Sequence, residues 1–145
     1  MRLTRHTDYA LRVLMYLGAR DNELATITEV AEVYKISRNH LVKVVNVLGR
    51  EGYLQTVRGK GGGIRLGMPP DKIVVGSVVR TMEEHLDIID CVGTECPIIA
   101  PCRLRTALGE ARDAFMAVLD RYTLADLVVP QADILHALFD VAPAE

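Results

Sequence analysis

Apolar residues recur every three or four positions through the first fifty residues, the spacing that gathers them on one side of a helix. Leu11, Leu14, Met15 and Gly18 define the first stripe. Thr7 and Asp8 read as its start, a hydroxyl to cap the free N–H groups and a carboxylate in the first turn. After a polar break at 20–23 a second, short helix is predicted from about Thr28, carrying Glu29, Val30, Ala31 and Val33 and ending before Lys35-Ile36-Ser37. Ser37 then caps a third helix. Leu41, Val44, Val45 and Leu48 share one of its faces, and Asn39, Lys43, Asn46 and Arg50 occupy another.

The period changes after Arg50. Residues 53–57 (YLQTV) and 64–66 (IRL) are strand-like, and RGKGGG lies between them, which predicts a hairpin with a basic, glycine-rich tip. Two short helices joined by a tight turn, the second polar and basic at its start, have the organisation of a helix-turn-helix. Taken alone, residues 28–50 also suit an ordinary helical pair with a solvated face; the hairpin that follows makes the unit a winged helix. Ser37, Arg38, Asn39, His40 and Lys43 are then the candidates to meet bases and phosphates. His40 has the alternative of capping or packing. Arg58 and Lys60 are placed to enter the minor groove, and Gly59 lets the backbone come close. A nucleotide phosphate loop is excluded, since its motif needs Gly at Leu54 and Ser or Thr at Gly61. The dinucleotide fingerprint starting at Gly59 needs Gly where Ile64 stands.

Composition sharpens this picture. Half of the 145 residues are hydrophobic, yet there is no Trp and aromatics are 5%, so the core is built from Val, Leu, Ile and Ala, as suits helices. The length allows a small domain plus an oligomerisation element. Residues 1–67 carry 11 Lys and Arg against 6 Asp and Glu, while residues 68–145 carry 6 against 13. A basic first half, at +5, fits a polyanionic partner, and an acidic second half, at −7, is expected to avoid it. The N-terminus is too polar for a signal peptide and no eighteen apolar residues run together. A cytoplasmic protein without a membrane partner is expected.

Met68-Pro69-Pro70 reads as a linker and residues 75–84 as a helix leading into a loop. Beyond Cys102, Leu104, Leu108, Ala111, Phe115, Val118 and Tyr122 recur at alternating spacings of 4 and 3. A helix of about 21 residues, roughly 30 Å long, with this heptad seam suits packing against a twin; the alternative is a helix folded onto its own domain. A helix-turn-helix usually reads two half-sites through a twofold axis, which favours the homodimer. The predicted fold is mainly α with a β-hairpin wing and a long C-terminal dimerisation helix. Its parts are a winged helix-turn-helix at 1–67, a linker, short helix and cysteine loop at 68–101, and a dimerisation helix and C-terminal helical segment at 102–145.

The candidate chemistry lies in the loop. Cys91, Cys96 and Cys102 are the only cysteines, all within the twelve residues CVGTECPIIAPC. Three thiolates can hold a metal centre one protein ligand short of a tetrahedral set, and an odd count argues against a closed disulfide framework. Soft thiolate donors suit an iron-sulfur cluster or zinc, and the Cys-x4-Cys-x5-Cys spacing is not the paired C-x2-C of zinc ribbons. A structural zinc and a thiol-only redox switch stay open on these grounds. His85, Asp90 and Glu95 are local candidates for a further ligand. Catalysis has little support: Ser37 and His40 stand three apart, as expected at a helix start, with no third group.

The segments LTRHTDYALR, ISRNHLVKVVNVLGREGYLQTVRGKGGGIRLG and YTLADLV, with the three-cysteine loop, resemble the family of dimeric winged-helix iron-sulfur repressors. The resemblance covers almost the whole chain. It implies a [4Fe-4S] or [2Fe-2S] cluster on Cys91, Cys96 and Cys102, and a homodimer on pseudo-palindromic double-stranded operator DNA. In the cluster-assembly branch a His follows the third cysteine by three residues; Arg105 stands there here. The nitric-oxide-sensing branch, which this chain resembles more, implies that an Asp near the start of the first helix, matched by Asp8, completes the cluster of the other subunit. Nitric oxide is then the effector that releases DNA. The alternatives are a sensor of iron-sulfur supply or redox state, and a winged-helix regulator with structural zinc.

Overall fold

A computed structural model describes residues 2–140. Its centre is α1 (Arg5–Gly18), and the side chains of that helix explain why. Ala10, Val13, Leu14, Tyr16 and Leu17 are all buried. This stripe is broader than the one expected because α1 is covered from several sides: by α3 (Arg38–Arg50), α4 (Val75–Met82) and α6 (Leu124–Val128). Leu11 and Met15 pack at the margin of that core.

The cap of α1 is Thr4, not Thr7. Thr4 has extended backbone and its Oγ1 accepts the Thr7 N–H at 3.4 Å. Thr7 is fully buried and its hydroxyl donates to Glu83. In α2 (Ile27–Tyr34) the cap is Thr26. Its Oγ1 accepts the Glu29 N–H while the Glu29 carboxylate accepts the Thr26 N–H, a capping box. The chain turns at Lys35, in the left-handed region at φ 54, ψ 44, and Ser37 opens α3 as expected, although its hydroxyl makes no capping bond. Leu41, Val44, Val45 and Leu48 are buried as the stripe requires.

The wing is an antiparallel pair, β1 (Leu54–Val57) and β2 (Gly63–Leu66), in the register Leu54↔Leu66 to Val57↔Gly63. Ala25 joins it through two backbone bonds with Ile64, 2.9 and 2.7 Å long. Gly63 permits this approach, since a Cβ there would lie 2.5 Å from the Ala25 oxygen. Ile64 is buried, so the base of the wing belongs to the core.

After a single 3-10 turn at Pro70–Lys72 comes α4, shorter by two residues than expected. The cysteine loop leads to α5 (Arg103–Leu119), whose N-cap is Cys102. This helix has 17 residues rather than about 21, because Thr123 and Asp126 form a second capping box that starts α6. Tyr122 therefore lies beyond α5, and its carbonyl accepts the Val75 N–H at 2.9 Å. Finally α7 (Ala132–Phe139) folds back: Phe139 sits with ring centroids 5.1 Å from Tyr16 and 5.7 Å from Tyr34, and His136 Nε2 lies 2.8 Å from the Ala19 carbonyl. Residues from α1, α3, β2, α4, α6 and α7 share one core. The last five positions of the expected C-terminal helical segment, 141–145, lie outside the described residues.

Candidate functional site

The amphipathic pattern of α3 turns its apolar face to α1, which leaves Ser37, Arg38, Asn39, His40 and Lys43 exposed at its N-terminal half. No carboxylate occurs in α3. His40 does not cap. Its backbone N–H donates to the Ser37 carbonyl at 3.1 Å and its ring stacks against Tyr9 of α1, centroids 6.3 Å apart at 25°. The Ser37–His40 spacing is thus ordinary geometry at a helix start. β1 packs on α3, and the hairpin tip exposes Arg58, Gly59 and Lys60. Gly59 holds φ 96, a left-handed value that a side chain would strain. Among the described residues, Arg38, Lys43, Arg58 and Lys60 have no carboxylate within salt-bridge distance. Their charge is available to a polyanion.

The cysteine loop is a run of turns between α4 and α5. Asp90 accepts the Gly93 N–H at 2.6 Å through its side chain and the Thr94 hydroxyl at 2.7 Å through its carbonyl. The Cys96 N–H donates to the Cys91 carbonyl at 3.4 Å, and Cys102 Sγ accepts the Arg105 N–H at 3.4 Å. All three thiols are free and half-buried. Cys91 opens onto a cleft of about 400 Å³ that His85, Asp90, Arg105 and Arg112 also line. Arg112 is held there by Asp87 at 2.8 Å. Two of the three local ligand candidates, His85 and Asp90, therefore share a cleft with a cysteine, while Glu95 is exposed on the loop. The donor chemistry, three uncommitted sulfurs on one loop, fits a thiolate-bound centre. Among the described residues no three His, Cys, Asp or Glu side chains come together as a metal-holding group.

Asp8 lies in the first turn of α1, half-exposed, and its Oδ1 accepts the Arg12 Nε–H at 2.8 Å. That hydrogen bond raises the Arg12 pKa. The guanidinium lies 5.6 Å from the ring centroid of Tyr34, whose hydroxyl is pushed up to about 12 by burial. One functional candidate escaped the sequence reading. Glu83 accepts hydrogen bonds from the Thr4 N–H, the Thr4 hydroxyl and the Thr7 hydroxyl, across 79 and 76 positions where no local signal joins them.

The family model described as Rrf2, an iron-dependent transcriptional regulator, matches residues 3–130. The chain belongs to the Rrf2 family. It is 50% identical over 142 residues to the HTH-type transcriptional regulator NsrR of Bacillus subtilis (strain 168), covering 95% of this chain and 97% of that protein. It is 51% identical, with the same coverage, to NsrR of Geobacillus kaustophilus (strain HTA426). Among solved structures, CymR, the global cysteine regulator of B. subtilis, superposes with a TM-score of 0.72 at 27% identity, covering 88% of this chain and 95% of that one. T. potens IscR shares the fold, with a TM-score of 0.70 at 23% identity over 92% of this chain and 90% of that one. This Rrf2 protein is a DNA-binding transcriptional regulator with a winged-helix fold, not an enzyme. Among its described residues no helix is long and apolar enough to cross a membrane.

Proposed function

We propose that this regulator is a homodimeric repressor that senses nitric oxide through an iron-sulfur cluster. Three free, half-buried thiols on one loop of a DNA-binding chain carry the reading. Its near relatives are named NsrR, and the resemblance to nitric-oxide-sensing members supports the effector.

In this reading Cys91, Cys96 and Cys102 hold the cluster and Asp8 of the partner subunit supplies the fourth ligand. When bound, the cluster supplies an iron whose oxygen ligand is readily displaced by a small diatomic molecule. The chain's own residues do the rest. Asp8 belongs to α1, the helix against which α3 packs, so its engagement fixes a DNA-reading unit against the opposite subunit. Ser37, Arg38, Asn39, His40 and Lys43 meet the major groove, and Arg58, Gly59 and Lys60 meet the minor groove. Both half-sites must be engaged together, so losing their spacing lowers affinity steeply. The second copy is seated on α5. Leu104 is 61% and Val118 42% exposed, and Ala111 is exposed between them, while Leu108 and Phe115 of the same seam are half-buried, so among the described residues part of this apolar stripe faces outward.

The test is the metal content of protein purified without oxygen. Iron and sulfide without zinc support the cluster; zinc without sulfide replaces it with a structural ion.

A further inference from the structure

The root of the cysteine loop and the start of α1 meet at one carboxylate. Glu83 is the residue at which α4 ends; its N–H still donates to the Val79 carbonyl at 2.9 Å while its backbone turns extended. Its Oε1 accepts the Thr4 N–H at 2.7 Å, the Thr4 hydroxyl at 3.0 Å and the Thr7 hydroxyl. A helix start presents N–H groups without intrahelical acceptors and a partial positive charge. Glu83 caps that start from a distant part of the chain. Among the described residues Thr7 is the buried polar side chain of the core, so removing the carboxylate takes away the charged acceptor of its hydroxyl and leaves it only Thr4 Oγ1, 3.2 Å away. Asp8 is the next residue after Thr7, and Cys91 lies eight positions beyond Glu83.

We propose that Glu83 is a positioning residue: it fixes the first turn of α1, and with it the carboxylate of Asp8, to the entry of the cysteine loop. The inference rests on the reading of Asp8 as a ligand to the partner subunit's centre. Each loop root then holds the helical turn that serves the opposite loop. A shift of one loop is carried through Glu83, Thr4 and Thr7 into the ligand offered across the dimer, which links the two sites.

The experiment compares the full-length wild type with Glu83→Ala, Glu83→Gln, Asp8→Ala and the double variant Glu83→Ala/Asp8→Ala. In metal-free protein, amide hydrogen exchange at Thr7 and Asp8 is expected to quicken about tenfold in Glu83→Ala, as for the loss of a charged hydrogen bond. Glu83→Gln, which keeps an acceptor oxygen, falls between and provides a folded comparison if the alanine variant unfolds. In anaerobically prepared protein, Glu83→Ala and Asp8→Ala each speed iron release to a chelator, and the double variant releases iron no faster than Asp8→Ala. Unchanged exchange overturns the proposal. So does a Glu83→Ala effect on iron release that persists in full when Asp8 is absent, since that marks a general loosening of the fold. If Asp8→Ala itself releases iron at the wild-type rate, the ligand assignment fails and this inference falls with it, an outcome distinct from the other two.

Discussion

Arg80 grips Asp120 at two points, Nη1 to Oδ1 at 2.6 Å and Nη2 to Oδ2 at 2.7 Å. The pair joins α4 to the residue that follows α5, the two helices between which the cysteine loop runs. Gly76 leaves room for it, since a Cβ there would lie 1.9 Å from the Asp120 Oδ1. The Arg80 hydrogen bonds hold the Asp120 carboxyl below its usual range. A carboxylate with a lowered folded pKa contributes stability above its unfolded pKa, about 3.9, and loses that contribution as pH falls through the folded value. Asp120→Asn is therefore expected to lower Tm at neutral pH, with the gap to wild type closing in acid below the unfolded carboxylate value. A gap that is constant with pH would show that the ion pair is not its source.

Gly63→Ala tests how the wing is anchored. The added Cβ meets the Ala25 carbonyl oxygen at 2.5 Å, and neither Ala25 nor β2 can yield without breaking the Ala25–Ile64 backbone bonds. The expected cost is about 2 kcal/mol or more in chemical denaturation, in line with overpacked sites. Operator affinity falls with it, because the tip no longer holds its angle to α3.

On the DNA side, Arg58→Ala and Lys60→Ala are each expected to weaken operator binding. If each cation neutralises one phosphate, the slope of log affinity against log salt falls by about 1 per substitution. Affinity and slope both unchanged would remove the wing tip from the interface.

The α5 seam predicts the oligomeric state. Leu104→Glu and Val118→Glu place charges on side chains already exposed in the single chain, so the fold tolerates them. Sedimentation should show monomers where the wild type gives dimers, with helix content preserved and operator binding lost.

Much of this architecture is legible in the chain because its signals are local. The Leu41, Val44, Val45 and Leu48 stripe locates α3, and the glycine run between 53–57 and 64–66 locates the wing. The three cysteines mark their loop by proximity alone. Helix ends are less legible: the sequence places the start of α1 at Thr7, whereas Thr4 is the cap and Thr7 is buried with its hydroxyl on Glu83. The Thr123–Asp126 box was present as a local signal and shortens α5, but the apolar spacing running on to Tyr122 masked it. The contact of Glu83 with Thr4 and Thr7, like that of Arg80 with Asp120, arises only when distant segments pack, and no periodicity announces it.

The measurement that bears most directly on the account is a nitric oxide titration of anaerobically purified protein bound to its operator, following visible absorption and DNA affinity together. Both are expected to fall in step as nitric oxide is added, and Cys91→Ala to abolish the absorption at the outset. Operator affinity that stays constant while the absorption is bleached would contradict it.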